Sequence, residues 1–415
     1  MSPPDSPVRR SGPLRALAHP NFRLYFFGQA VSILGSWIQQ VAMAWLVYRI
    51  TGSTALLGVT SFAALAPQLF VGPLAGAWID KHDKRRWLIA VQTLLSVQAL
   101  VLAGLTWAGW VGPTLLIVMA AFLGVLNSFD TPLRQSLIGA FVARKEDLPN
   151  ALALNAMLFN SGRFIGPPVA GLLLGWTSEA ACFALNALTF LALIGAILRV
   201  RDVATPRASG TVGEVFREGV AYVRQTWVVR LLILTLVAVN LTASAYVVLL
   251  PVLAAQVFAG DARTLGWLWG AAGCGALGST LFLASRHGLR ALVVATLLGV
   301  CVSATALFCL GLARALPAAL GAMVALGFGI SVCNVAINML LQSMAPDRLR
   351  GRIVAFFTSS RFGFDALGGL IGGLVAAALG PGDTLLGEGV ALSLFVVFLA
   401  TRGRRLLASV KAPAR

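Results

Sequence analysis

An all-α membrane protein of twelve spanning helices, arranged as two pseudo-symmetric six-helix halves, is the fold class this sequence predicts. Three observations carry it. Only 11% of the 415 residues are charged and 58% are hydrophobic, whereas a soluble domain uses roughly a quarter of its residues as charges. Apolar stretches long enough to cross a bilayer core of about 30 Å as helices recur from end to end. Lys and Arg fall in alternate loops, which fixes the parity of the crossings. The net charge of +17 is spread through these short loops rather than gathered into one patch, so nucleic acid is not expected as a partner.

The spans read 22–48, 54–79, 86–109, 113–138, 150–176, 180–199, 229–257, 264–285, 289–313, 316–343, 353–380 and 384–402. Of the 32 Lys and Arg, the even-side loops hold only Arg49, Arg263 and Arg314, and Arg163 and Arg361 fall inside spans. The rest lie in the two tails and the odd-numbered junctions or within five residues of them, which predicts a multi-pass protein with both termini cytoplasmic. Trp107, Trp110, Trp176, Trp267 and Trp269 then fall near outer ends, and Trp78, Trp87 and Trp227 near inner ends, as interfacial aromatics do.

Five segments follow. Residues 1–21 are a Pro-rich cytoplasmic tail with no cleavable signal pattern. Residues 22–199 and 229–402 are the two halves. Residues 200–228 interleave Arg207, Glu214, Arg217 and Glu218 with Val212, Val215, Phe216 and Val220, which predicts a loop and an amphipathic surface helix. Residues 403–415 are a basic cytoplasmic tail. Cys182, Cys274, Cys301, Cys309 and Cys333 lie in apolar runs without metal-ligand spacing and are expected to be buried packing residues, so neither metal nor cofactor is expected.

The halves repeat weakly. Asp80-Lys81-His82-Asp83-Lys84-Arg85 has a counterpart in Ser285-Arg286-His287-Gly288-Leu289-Arg290, and Ser161-Gly162-Arg163-Phe164 in Ser359-Ser360-Arg361-Phe362. Paired halves joined by a surface linker are the sequence mark of a transporter that rocks about a central site. No phosphate-binding loop signature is present, and His19, His82 and His287 all sit at or outside the inner face. ATP-driven transport and enzymatic activity are therefore not expected.

The stretch Gly72-x-x-x-Gly76-x-x-x-Asp80-Lys81-x-x-Lys84-Arg85-Arg86 resembles the loop signature between the second and third helices of the major facilitator superfamily, with Asp83 where that pattern usually has Gly. Gly72 and Gly76, one turn apart, are expected to let a neighbouring helix approach. Ser32-Ile33-Leu34-Gly35-Ser36-Trp37, Asp130-Thr131-Pro132-Leu133-Arg134-Gln135 and Leu349-Arg350-Gly351-Arg352 extend the resemblance to the bacterial branch of enterobactin exporters and macrolide and multidrug efflux pumps. Gly162-Arg163-Phe164-Ile165-Gly166-Pro167-Pro168-Val169-Ala170-Gly171 is partly similar to the antiporter signature of the fifth span. The resemblance implies proton-coupled export of a small amphipathic molecule, a drug or a siderophore, by a monomer in the bacterial inner membrane, among lipids. A lipid flippase of the same fold and a non-transporting sensor or scaffold are the alternatives.

Ionisable groups inside spans are costly and usually face a cavity or a partner. Asp130 reads either as a proton-coupling acid or as a latch to Lys84 or Arg85 at the inner gate. Arg361 and Asp365, four apart on the eleventh span, read as a proton-coupling pair or a structural ion pair. Arg163 is expected to pair with Asp130, to bond backbone carbonyls or to attract an anionic substrate. Glu388 is placed at the outer interface. Gln29, Ser32, Ser36, Gln39 and Gln40 on span one, Asn240, Thr242, Ser244 and Tyr246 on span seven, and Ser331, Asn334, Asn338 and Gln342 on span ten are candidate cavity residues, by analogy with the family's central helices.

Overall fold

The computed structural model describes residues 12–200, 223–286, 288–346 and 349–409, without the side chains at 73, 76, 77, 80, 350, 351 and 403–409. The predicted linker helix and the last residues of the tail lie outside the described residues. Among the described residues, twelve long helices follow one another: α1 (Pro20–Thr51), α2 (Thr54–Lys81), α3 (Lys84–Trp107), α4 (Pro113–Phe141), α5 (Leu148–Trp176), α6 (Glu179–Arg199), α7 (Trp227–Val257), α8 (Ala262–Ala284), α9 (Leu289–Leu312), α10 (Leu316–Met344), α11 (Arg350–Leu379) and α12 (Pro381–Ser409). Eleven are long and apolar enough to span a membrane by length and composition. The exception is α5, diluted by Asn150, Asn155, Asn160, Arg163, Pro167 and Pro168. α12 continues past the predicted span end, so the basic tail starts on a helix.

The connections are short because the residues at each junction stop one helix and start the next. Gly52 closes α1 at φ 61°, a left-handed conformation that glycine adopts without Cβ strain. Ser53 then caps α2 by accepting from the Leu56 amide. Asp83, the departure from the loop signature, accepts from the amides of Arg85 and Arg86 at 3.0 and 3.1 Å and so caps α3. Such caps are worth about 1 kcal/mol. Proline opens or nearly opens α1, α4, α5 and α10, where its missing N–H costs nothing.

α7 is not one continuous helix. It comprises Trp227–Ala243, Ala245–Val252 and a wide turn over Leu253–Val257, with Ser244 at the break and Pro251 inside the second piece. Irregular backbone at membrane depth is tolerated where protein or a water-filled cavity surrounds it.

Helix pairing repeats under a shift of six. α2–α4 and α8–α10, α3–α6 and α9–α12, and α1–α5 and α7–α11 pack alike, and the halves join through α2–α11 and α5–α8, which exchange under the same shift. Lipid supplies no hydrophobic drive between helices, so close packing and small residues must hold them.

Several sequence expectations are corrected by this packing. Trp269 does not lie at the interface: it is buried with its ring 6.3 Å from that of Trp37. Cys182 and Cys333 are buried, but Cys274, Cys301 and Cys309 are exposed on helix surfaces. Two basic exceptions to the loop bias have partners: Arg49 grips Glu179 at 2.6 Å, and Arg263 lies 3.9 Å from Asp261.

At the face carrying the chain ends, the turn over Arg15–Ala18 is clasped to the entry of α5. Arg15 and His19 approach the Asp147 carboxylate at 3.2 and 2.9 Å, and Asn150 accepts from the Ala16 amide and donates to the Pro13 carbonyl. The His19 hydrogen bond, backed by the charges of His19, Arg15 and Arg144, holds the Asp147 carboxyl below the ordinary carboxylate range. A depressed folded-state value stabilises above the ordinary carboxylate value and loses that stabilisation as pH falls through the lowered one. A distance probe between Gly12 and Lys145 should therefore report detachment in acid, and Asp147→Asn should reproduce it at neutral pH; a distance unmoved by either change sinks the clasp.

Candidate functional site

The two halves meet between mid-depth and the face opposite the chain ends. Glycine allows this approach. A Cβ on Gly266 of α8 would lie 2.6 Å from the Pro167 carbonyl oxygen and 3.0 Å from Gly171 Cα, and one on Gly171 would lie 2.7 Å from the Ala262 carbonyl oxygen. Arg263 donates to the Gly175 carbonyl at 3.2 Å, extending the seam to the ends of α5 and α8. In α2–α11, Gly58 meets the Gly369 carbonyl and Gly373, and Gly363 meets Leu69. The antiporter-like motif thus serves two partners: Gly162 and Gly166 pack on Ile33 and Trp37 of α1, while Pro167, Pro168 and Gly171 pack on α8.

Phe70, Leu74 and Trp78 on α2 and Leu152, Met157 and Phe159 on α5 are exposed. Among the described residues nothing lies within 4 Å of a Cβ built on Gly72, so none of them makes the close approach expected there. Gly76 and Asp80 have side-chain positions outside the described residues. The close contacts between the halves thus lie toward the face opposite the chain ends.

At the packing of α7 on α11, charged and polar groups come together. Arg361 Nε lies 3.9 Å from Asp365 Oδ2 on α11, too far for a direct hydrogen bond. Ser244, at the break in α7, donates instead to Asp365 Oδ1. Arg163 of α5 acts electrostatically on both members of the pair, and Tyr246 on Arg361. Arg163 and Arg361 are the repeat partners read from the sequence, and of the two Arg361 lies beside the acid. The ion-pair partner of Asp130 is Arg134 and not the expected Arg163. Arg361 and Asp365 keep 35% and 19% of their side-chain exposure deep inside the protein, so they border open space.

Asp130 sits in a separate core within the N-terminal half. It pairs with Arg134, one turn on, at 2.7 Å, and accepts from Gln92; Arg134 also donates to Ser32. Of the expected latch partners, Arg85 donates instead to the Ile197 and Leu198 carbonyls at the end of α6, while Lys84 is buried and Lys81 is exposed. Sequence reasoning passed over Arg134, although the same four-residue spacing had flagged Arg361 and Asp365. Arg134→Met should destabilise the protein by about 3–5 kcal/mol, since it strands a buried carboxylate. The double variant with Asp130→Asn should recover most of that, as read by thermal unfolding in detergent; equal losses in both variants contradict the pairing.

Most candidate cavity residues are instead bonds between helices. Gln29 donates to Asn155, Gln39 to Gln98, and Asn186 to Gln39. Asn240 and Asn334 exchange bonds at 3.1 and 3.3 Å across α7–α10. Gln29, Ser32, Gln39, Asn240, Asn334 and Tyr246 are all buried. Ser36 turns back to the Ser32 carbonyl, and Asn338 accepts from Gln342; both stay half-exposed. A polar stripe at helical spacing satisfies helix neighbours as readily as it lines a cavity, and here it mostly does the former.

Comparison with known proteins follows this geometry. Residues 11–411 match the profile of a family described as transmembrane secretion effectors. The chain is 29% identical over 395 residues to the multidrug efflux pump Tap of Mycolicibacterium fortuitum, covering 91% of this chain and 93% of that one. It is 29% identical over 273 residues to the staphyloferrin A transporter of Staphylococcus aureus, covering 62% and 66%. Among solved structures, a bacterial homologue of the human lysosomal transporter Spinster, in an inward-facing and occupied conformation, superposes with a TM-score of 0.75 at 13% identity, over 97% of this chain and all of that one.

Proposed function

Because this chain belongs to the transmembrane secretion effector family of the major facilitator superfamily, we propose that it exports a small amphipathic organic molecule, a drug-like compound or a siderophore, in exchange for protons. The observation that carries the proposal is the cluster of Arg361, Asp365 and Ser244 at the break in α7, with its acid and base partly exposed within the helix bundle. An exchanger needs a group that binds a proton in one state and releases it in the other, and a carboxyl held between desolvation and movable cationic neighbours meets that need. Staphyloferrin A and multiple drugs are named for the relatives, which supports the substrate class.

The face carrying the chain ends is the cytoplasmic one in this reading, and the close contacts toward the opposite face fit an inward-open state. Substrate enters there, the halves rock, the α2–α11 and α5–α8 seams part on the far side, and the Gly72–Arg85 region closes behind it. The protein acts as a monomer in the bacterial inner membrane without a cofactor. Purified protein in proteoliposomes, given an imposed pH difference and offered siderophores, dyes and antibiotics, should move at least one class against its gradient. Movement indifferent to the pH difference removes proton antiport, and labelling of cysteines at 203–211 from outside intact cells reverses the orientation.

A further inference from the structure

Glu388 is expected at the outer interface from its position in the sequence, and the structure shows what surrounds its carboxyl group. It lies about 10 Å along α12 from Pro381, at 1.5 Å per residue, and its Oε2 is buried with no hydrogen-bond partner. Its Oε1 sits over a notch in α11, where a Cβ on Gly372 would come within 3.1 Å. The same notch is closed on its other side by Ala245, the residue after the break in α7. The elements packed against α12 are α7, α9 and α11. Their ionisable side chains are Arg230 and Tyr246 on α7, Arg290, Cys301 and Cys309 on α9, and Arg350, Arg352, Arg361 and Asp365 on α11. None forms a hydrogen bond or ion pair with Glu388 among the described residues.

An ionised carboxylate without a partner at this depth is costly, by several kcal/mol after all relaxation. The neutral acid avoids that cost by holding a proton. The placement of this acid relates it to Asp365. Asp365, Gly368 and Gly372 share one face of α11, spaced by three and four residues. That face runs along the α7 break: Gly368 abuts the Asn240 and Leu241 carbonyls, Gly372 abuts Ala245, and Ser244 donates to Asp365. A movement of α7 against α11 therefore changes the surroundings of both acids together.

We propose that Glu388 is a second proton-binding site, protonated in the described state and opened to water from the opposite face when α7 and α11 shift. The step is a single proton passing from the Glu388 carboxyl to water, leaving the carboxylate hydrated, and returning when the notch closes. This deepens the antiport reading and rests on it for its role in transport, while proton binding itself can be tested without any substrate.

The test uses the full chain in lipid nanodiscs, with the proton as the probe. Infrared difference spectra between acid and alkaline buffer should contain a protonated-carboxyl band that is lost in Glu388→Gln, kept in Asp365→Asn, and displaced but present in Glu388→Asp. A distance probe across the ends of α5 and α8 opposite the chain ends should show a pH-dependent opening in the wild type that shifts in Glu388→Gln and returns in Glu388→Asp. Spectra identical in wild type and Glu388→Gln overturn the proposal. So does a Glu388 band accompanied by unaltered pH-dependent opening, which would make the acid a static one. Failure of Asp365→Asn to uncouple export would instead strike the Asp365 reading, and the Glu388 band would still be decided on its own.

Discussion

Gly266→Val should abolish transport and drive the protein out of the described state. A Cβ at this position meets the Pro167 carbonyl oxygen at 2.6 Å and the Gly171 backbone at 3.0 and 3.2 Å. These are backbone atoms, so no side chain can swing aside and α5 and α8 must separate. Overpacking of this kind costs about 1–3 kcal/mol, and a coupling of that size changes a two-state population by roughly 5- to 150-fold. The cost falls only on the state in which the seam is closed. The α5 and α8 ends opposite the chain ends should therefore move apart in a distance measurement. Gly321→Val is the control: nothing lies within 4 Å of its Cβ position, and it should behave as wild type. A closed seam and normal transport in Gly266→Val contradict the packing argument directly.

Asp365→Asn should separate binding from coupling. The substitution keeps the side chain's size and can preserve the contact with the Ser244 hydroxyl, but it removes the titrating group facing Arg361 and Arg163. Export against a gradient should fall by more than about tenfold, equivalent to about 1.4 kcal/mol. Binding of a transported dye at fixed pH should be largely retained. Arg361 sets a companion expectation. Its Nε is buried without a hydrogen-bond partner and its guanidinium lies 5.4 Å from the Phe362 ring centroid, so it is held near the acid without being bonded to it. A variant that still exports with the wild-type response to an imposed pH difference would leave Asp365 a structural partner of Arg361.

The fold was legible because its main cause is compositional. Residues in a bilayer core must be apolar over a fixed length and must satisfy their own backbone groups, so span positions, short turns and the parity of basic loops are all written locally. The repeat of Arg163 as Arg361 was also visible, though not that Arg134 would stand in place of Arg163 beside Asp130. Asp83 shows the opposite limit: as a departure from a loop signature it looked like an irregularity, and in the structure it caps α3.

What the sequence by itself determined is therefore the number and order of the helices, the split into halves and the identity of the ionisable groups that had to be accounted for. The tertiary structure decided which of those groups face each other. Asp130 and Asp365 carry similar local signals, an acid inside a span with Arg one turn away, yet one is locked between α1, α3 and α4 while the other meets Ser244 at the break in α7. Gln29, Gln39 and Asn240 read as cavity-lining and bind neighbouring helices instead. Glu388 read as interfacial and lies in a glycine notch. The physical reason is common to all of them: helical spacing fixes the direction of a side chain relative to its own helix, but the rotation of that helix against its neighbours comes from close packing at small residues across the whole bundle.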